Sequence, residues 1–106
     1  MILGKIQVAP AVKRGDAFEV KVLIQHPMET GFRRDLDGHA IALNIVDKLW
    51  CTYGGSEVFR AELGSGVSAN PYVTFFVLAG ESGELAVSWT DDRGQQGRAT
   101  ATVSVA

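Results

Sequence analysis

His26, His39 and Cys51 are the side chains of this sequence best suited to a transition metal, because imidazole and thiolate ligate iron, copper and zinc. They lack a dense spacing such as Cys-x-x-Cys or His-x-x-x-His. One reading of the chain is therefore a small β-sandwich redox or metal-binding protein that gathers these three residues from separate segments. Against it, Cys51 falls on the inward face of a predicted strand, where a cysteine behaves as a small hydrophobe. Asp91 and Asp92 could act as an acid/base pair or hold a cation, but in "TDDRGQQG" they read as turn residues that bond nearby amides. Serines 56, 65, 68, 82, 88 and 104 lie on turns or alternating strand faces, without the Gly-x-Ser-x-Gly elbow of a nucleophile. "GSG" at 64–66 has neither the lysine nor the helix of a phosphate loop.

The elements that would position these residues are strands. Apolar and polar residues alternate with period two through seven segments, at 5–9, 16–25, 47–53, 56–63, 72–79, 84–90 and 98–106. Phe18, Val20, Val22 and Ile24 share one face of the second. Leu49, Cys51 and Tyr53 share one face of the third, opposite Phe59, Ala61 and Leu63 across a Gly54-Gly55 turn that predicts a hairpin. Val73, Phe75 and Val77 alternate inward, as do Leu85, Val87 and Trp89, then Ala101, Val103 and Val105. Pro10 closes the first strand because it cannot donate to a ladder. "GSGVSANP" at 64–71 predicts a crossing between sheets. Seven short strands with turn signals every ~8–12 residues predict an all-β, immunoglobulin-like two-sheet antiparallel sandwich occupying residues 1–106 as one domain.

Two features exceed what a core requires. Phe76 and Leu78 fall opposite Phe75 and Val77, so this strand is apolar on both sides. Either it is central and covered by a loop, or another protein covers its outer face. The second feature is "QHPMETGFRRDLDGHAIAL" at 25–43, an irregular, charged run between regular strands. Ordered loops longer than about 12–15 residues in small domains are usually binding loops or lids. Glu29, Arg33, Arg34, Asp35 and Asp37 offer charge-assisted hydrogen bonds, and Met28 and Phe32 offer apolar contact, the mixture of an interface rim around a core. The alternative is a solvated loop laced by its own ion pairs.

Composition bounds the function classes. A net charge of -2 supplies no positive field for a phosphate backbone, so nucleic acid is not an expected partner. One cysteine excludes an intrachain disulfide. Apolar runs of a few residues are far below the ~20 that span a bilayer, and "MILGKIQVAP" lacks the pattern of a secretory signal.

"HPMETGFRRD" at 26–35, "CTYGGSEVFRAEL" at 51–63, "ANPY" at 69–72 and "SGELAVSWTDDRG" at 82–94 together resemble SoxZ. This is the small subunit of the SoxYZ carrier of bacterial thiosulfate oxidation. The resemblance runs nearly end to end, in the same order and spacing. It implies a non-enzymatic, cofactor-free immunoglobulin-like subunit that pairs tightly with SoxY, whose glycine-rich C-terminal arm bears sulfur intermediates on a cysteine. Other Sox enzymes would meet the pair only transiently. The resemblance also implies a periplasmic location, reached by export together with a partner that carries the signal. By the same analogy Cys51 bears no sulfur. The partner-binding surface is then expected at His26, Met28, Glu29, Phe32, Arg33, Arg34 and Asp35 of the loop and at Phe76 and Leu78 of the doubly apolar strand. The chain departs from the family's pattern at Ile41-Ala42-Leu43, where a proline and an arginine are usual, and in the flexible "LGSGVSANP" connection.

Overall fold

The computed structural model describes residues 1–9 and 11–106. Eight strands follow one another: β1 (Gly4–Val8), β2 (Ala11–Val12), β3 (Ala17–Ile24), β4 (Val46–Tyr53), β5 (Ser56–Glu62), β6 (Tyr72–Leu78), β7 (Gly83–Asp91) and β8 (Gln96–Val105). They form a three-stranded sheet in the order β1-β3-β6 and a five-stranded sheet in the order β2-β8-β7-β4-β5. No helix occurs among the described residues. The all-β two-sheet sandwich expected from alternation is what forms. The difference is β2, which pairs in parallel with Ser104–Val105 and is too short for alternation to reveal. Pro10, expected to close β1, lies outside the described residues.

The inward positions are those that alternation selects. Phe18, Val20, Val22 and Ile24 of β3 are buried against Leu49 and Cys51 of β4, Phe75 and Val77 of β6, Leu85, Val87 and Trp89 of β7 and Val103 of β8. Each fully buried Val, Leu or Ile side chain contributes on the order of 1.5–3 kcal/mol relative to its exposed state. Two aromatic pairs join the sheets directly. Phe59 of β5 stacks on Phe75 of β6 with ring centroids 4.0 Å apart, and Phe18 of β3 meets Tyr53 of β4 edge to face at 5.8 Å.

The β4–β5 hairpin turns at Gly54 and Gly55, with φ of 59° and 87°. Both values lie in the left-handed region a two-residue hairpin turn requires, where glycine carries no Cβ penalty. At the opposite end of the core, the Trp89 indole N–H donates to the carbonyl of Ile2 at 3.0 Å. Gly97, the register partner of Trp89 on β8, provides the room: a Cβ there would overlap both Ile2 O and Trp89 Nε1. The N-terminal segment is thus fastened over the largest buried side chain of the core.

Candidate docking surface

The long segment between β3 and β4 is built as an arm with a fixed base. At the base, His26 is buried, and its Nδ1 accepts the Met28 N–H at 3.0 Å. In the neutral ring the hydrogen then sits on Nε2, which faces Asp91 Oδ2 at 3.5 Å. Asp91 is itself buried at the end of β7, and its Oδ1 accepts the N–H groups of Arg93 (2.9 Å) and Gln95 (2.8 Å). Asn44, with its amide nitrogen turned toward the carboxylates, reaches Asp91 Oδ2 at 3.2 Å and Asp92 Oδ1 at 3.3 Å. Asp92 Oδ1 also accepts the Ile45 N–H at 2.7 Å. On the other side of His26, Asn70 Oδ1 accepts the His26 N–H and the Asn70 N–H donates to the His26 carbonyl. The turn role expected of the Asp91-Asp92 pair is observed at Asp91, whereas Asp92 bonds the distant Ile45 amide, and the two together anchor both ends of the arm.

Met28 adopts φ of 51°, an uncommon conformation for a side chain of this kind, and is buried at the arm's root. Beyond it, Glu29 and Asn44 exchange both backbone hydrogen bonds, at 2.8 and 2.9 Å, and a second bridge joins Arg34 to Ala40. Asp35 Oδ1 caps the tip by accepting the N–H groups of Asp37 and His39, both at 2.9 Å. Both arginines are engaged within the arm. Arg33 grips both carboxylate oxygens of Glu29, and Arg34 Nη1 donates to the Gly38 carbonyl at 2.8 Å. The Arg33 hydrogen bonds hold the Glu29 carboxyl below its ordinary range, and the same contact raises the Arg33 guanidinium. The internal lacing of the solvated-loop alternative is thus present. It leaves Phe32 and Leu36 bare, at 89% and 106% exposure.

The second part of the expected surface is on β6. This strand lies at an edge of the three-stranded sheet, and the arm does not cover it: Phe76 and Leu78 are 67% and 68% exposed. Tyr72, exposed on the same strand face, and Leu23, its register partner on β3, extend the apolar patch. A concavity of about 420 Å³ continues from Tyr72 and Leu23 toward Lys5 and Lys21.

The nine residues expected to meet a partner therefore separate. Phe32, Arg33, Arg34 and Asp35 are exposed on the arm, Glu29 lies partly exposed beneath Arg33, and Phe76 and Leu78 are exposed on the sheet. His26 and Met28 are interior, which corrects their expected role: their polar and apolar groups are used to hold the arm to the sandwich.

The set His26, His39 and Cys51 is not assembled. Cys51 sits in the core with its thiol pushed up to about 11 by burial, His26 is engaged with Met28 and Asp91, and His39 is exposed at the arm tip. The group of potential ligand atoms found among the described residues is instead Asp35, Asp37 and His39. Sequence reasoning missed Tyr72, although its parity with Phe76 and Leu78 places it on the same face, and missed the buried role of Asp91, which only the packing of distant loops creates.

The fold is shared with solved structures of low sequence identity. Superoxide reductase (neelaredoxin) from Ignicoccus hospitalis superposes with a TM-score of 0.70 at 21% identity, covering 97% of this chain and 80% of the other. The putative superoxide reductase from Thermotoga maritima gives 0.69 at 18%, covering 95% and 83%. The sulfur carrier protein SoxY from Chlorobium limicola f thiosulfatophilum gives 0.64 at 15%, covering 96% and 74%. These likenesses establish a common sandwich. No curated protein sequence matches the chain. Residues 6–102 match the family described as sulphur oxidation protein SoxZ, and with nearly its whole length matched the chain belongs to the SoxZ family.

Proposed function

We propose that this chain is the non-catalytic docking subunit of a periplasmic sulfur carrier. It pairs with a SoxY-type protein whose C-terminal cysteine arm bears sulfur intermediates during thiosulfate oxidation. The observation that carries this reading is the uncovered apolar face of β6, where Tyr72, Phe76 and Leu78 stand on a sheet edge of a SoxZ-family chain. Exposed apolar patches of this kind mark protein contact sites. Two further features support it. The arm is pre-organised by the Glu29–Arg33 pair and the His26–Asp91 anchor, so presenting Phe32 and Leu36 requires little ordering on association. Cys51, buried and with its thiol raised, is unsuited to carry sulfur or attack a substrate, which leaves that chemistry to the partner.

The test is co-expression with the SoxY-type chain of the same genome, followed by size exclusion with light scattering. A stable one-to-one heterodimer is expected. In it, Phe32→Ser or Arg34→Ala weakens binding by about 1–3 kcal/mol with the melting temperature of the free chain unchanged. Clean monomers of both chains at micromolar concentration would refute the pairing.

A further inference from the structure

The edges of the two sheets are not protected alike. β5 carries Glu57, Arg60 and Glu62 and breaks register with β4 at a bulge between Cys51 and Thr52. β1 carries the exposed Lys5, and β2 is two residues long. Charges, bulges and brevity are the ordinary devices that keep a sheet edge from recruiting another strand. β6 has none of them: "YVTFFVL" is seven residues without a charge, a proline or an irregularity in its register with β3.

The direction of its free hydrogen-bonding groups follows from that register. Ala79 N–H donates to Asp16 O, and Ile24 N–H donates to Pro71 O, so the odd-numbered residues of this stretch bond inward to β3. In an antiparallel ladder the even-numbered residues then point their N–H and C=O groups away. Tyr72, Thr74, Phe76 and Leu78 therefore present unpaired backbone groups along the open edge, and the same residues present their side chains on the exposed face. An occupant that satisfies both is an extended strand with apolar side chains on the matching face.

We infer that β6 is extended by a strand of the partner chain, so that the three-stranded sheet continues across the interface. The assignment rests on the pairing proposed above and specifies its geometry. Charge selects a partner over a second copy of this chain. The Phe59–Phe75 stack puts β5 on the same side of the sandwich as β6, and β5 is acidic in balance, with Glu57 and Glu62 against Arg60. A second copy would set one acidic β5 edge beside another, whereas a partner strand flanked by a basic residue meets it favourably. The partner strand is thus apolar at alternate positions and borders a lysine or arginine.

Amide hydrogen exchange of the full chain, free and in complex with the co-expressed SoxY-type chain, tests this. The N–H groups of Tyr72, Thr74, Phe76 and Leu78 are expected to exchange at least about a hundredfold more slowly in the complex. Thr74→Pro removes one edge donor that β3 does not use, which an edge strand tolerates, and is expected to weaken the complex about tenfold or more. Thr74→Val is expected to leave affinity unchanged. Phe76→Lys, on an exposed side chain, gives the same loss by placing a charge on the edge if the proline variant does not fold. A complex that forms without protection of these four amides would overturn strand addition and leave the pairing intact. Protection that arises in the free chain with a doubled mass would assign the edge to a second copy and overturn the partner strand. Absence of any complex would overturn the pairing, and this inference with it.

Discussion

His26 Nε2 lies 3.5 Å from Asp91 Oδ2, joining residues 65 positions apart in a contact shielded from solvent. The contact fastens the root of the arm to the end of β7, where the other Asp91 oxygen already holds the Arg93 and Gln95 amides. Replacing His26 by leucine leaves the buried Met28 N–H without its acceptor and Asp91 Oδ2 without its ring partner. A loss of about 2 kcal/mol is expected from these orphaned groups, which for a domain of this size lowers the melting temperature by on the order of 10 °C. Thermal denaturation followed by circular dichroism measures it, and an unaltered midpoint would mean that the cluster does not hold the arm.

Gly97 is a packing position, not a turn. In Gly97→Ala the new Cβ overlaps the Ile2 carbonyl and the Trp89 indole nitrogen, so the N-terminal segment must lift or the indole must shift. Overpacking of this kind costs about 1–3 kcal/mol. Denaturant unfolding should show a lower midpoint with the same slope, together with a change in Trp89 fluorescence as its N–H loses the Ile2 acceptor.

The thiol of Cys51 is fully buried, with its ionisation pushed up to about 11 by desolvation. At pH 8 only on the order of 0.1% of such a group is thiolate. Ellman's reagent is therefore expected to give no fast reaction with the folded chain, and one equivalent of thiol after denaturation in guanidinium. Rapid labelling of the native protein would show that the β4–β5 region opens readily.

Glu29 ionises below its ordinary value of 4.5 because Arg33 donates to both carboxylate oxygens. A group whose folded value is depressed contributes its stabilisation above the ordinary value and loses it as pH falls through the depressed one. The arm is therefore expected to keep this pair at neutral pH and to release it in acid, below about pH 4.5. Titration of the Glu29 side chain by NMR should follow this course. Arg33→Ala should return Glu29 to the usual carboxylate range, and high salt should weaken the pair because the Arg33 side chain faces solvent.

Strand identity and inward faces were legible in the sequence, because a period of two assigns each side chain to one face whatever the strand pairs with. Phe18, Val20, Val22 and Ile24 had to face inward together, and Gly54-Gly55 had to turn a hairpin. The SoxZ character was legible too, in four motifs kept in register along the chain. What periodicity could not supply was the order of the strands, which depends on contacts between residues far apart in the chain. That order puts β6 at an edge and leaves Phe76 and Leu78 uncovered, which removes the loop covering that the sequence allowed. It also brings Asp91 to His26 and so takes both His26 and Met28 out of the surface to which their loop setting had assigned them. Local alternation fixes which way a side chain points within its strand; only the assembled sandwich fixes whether anything lies there to meet it.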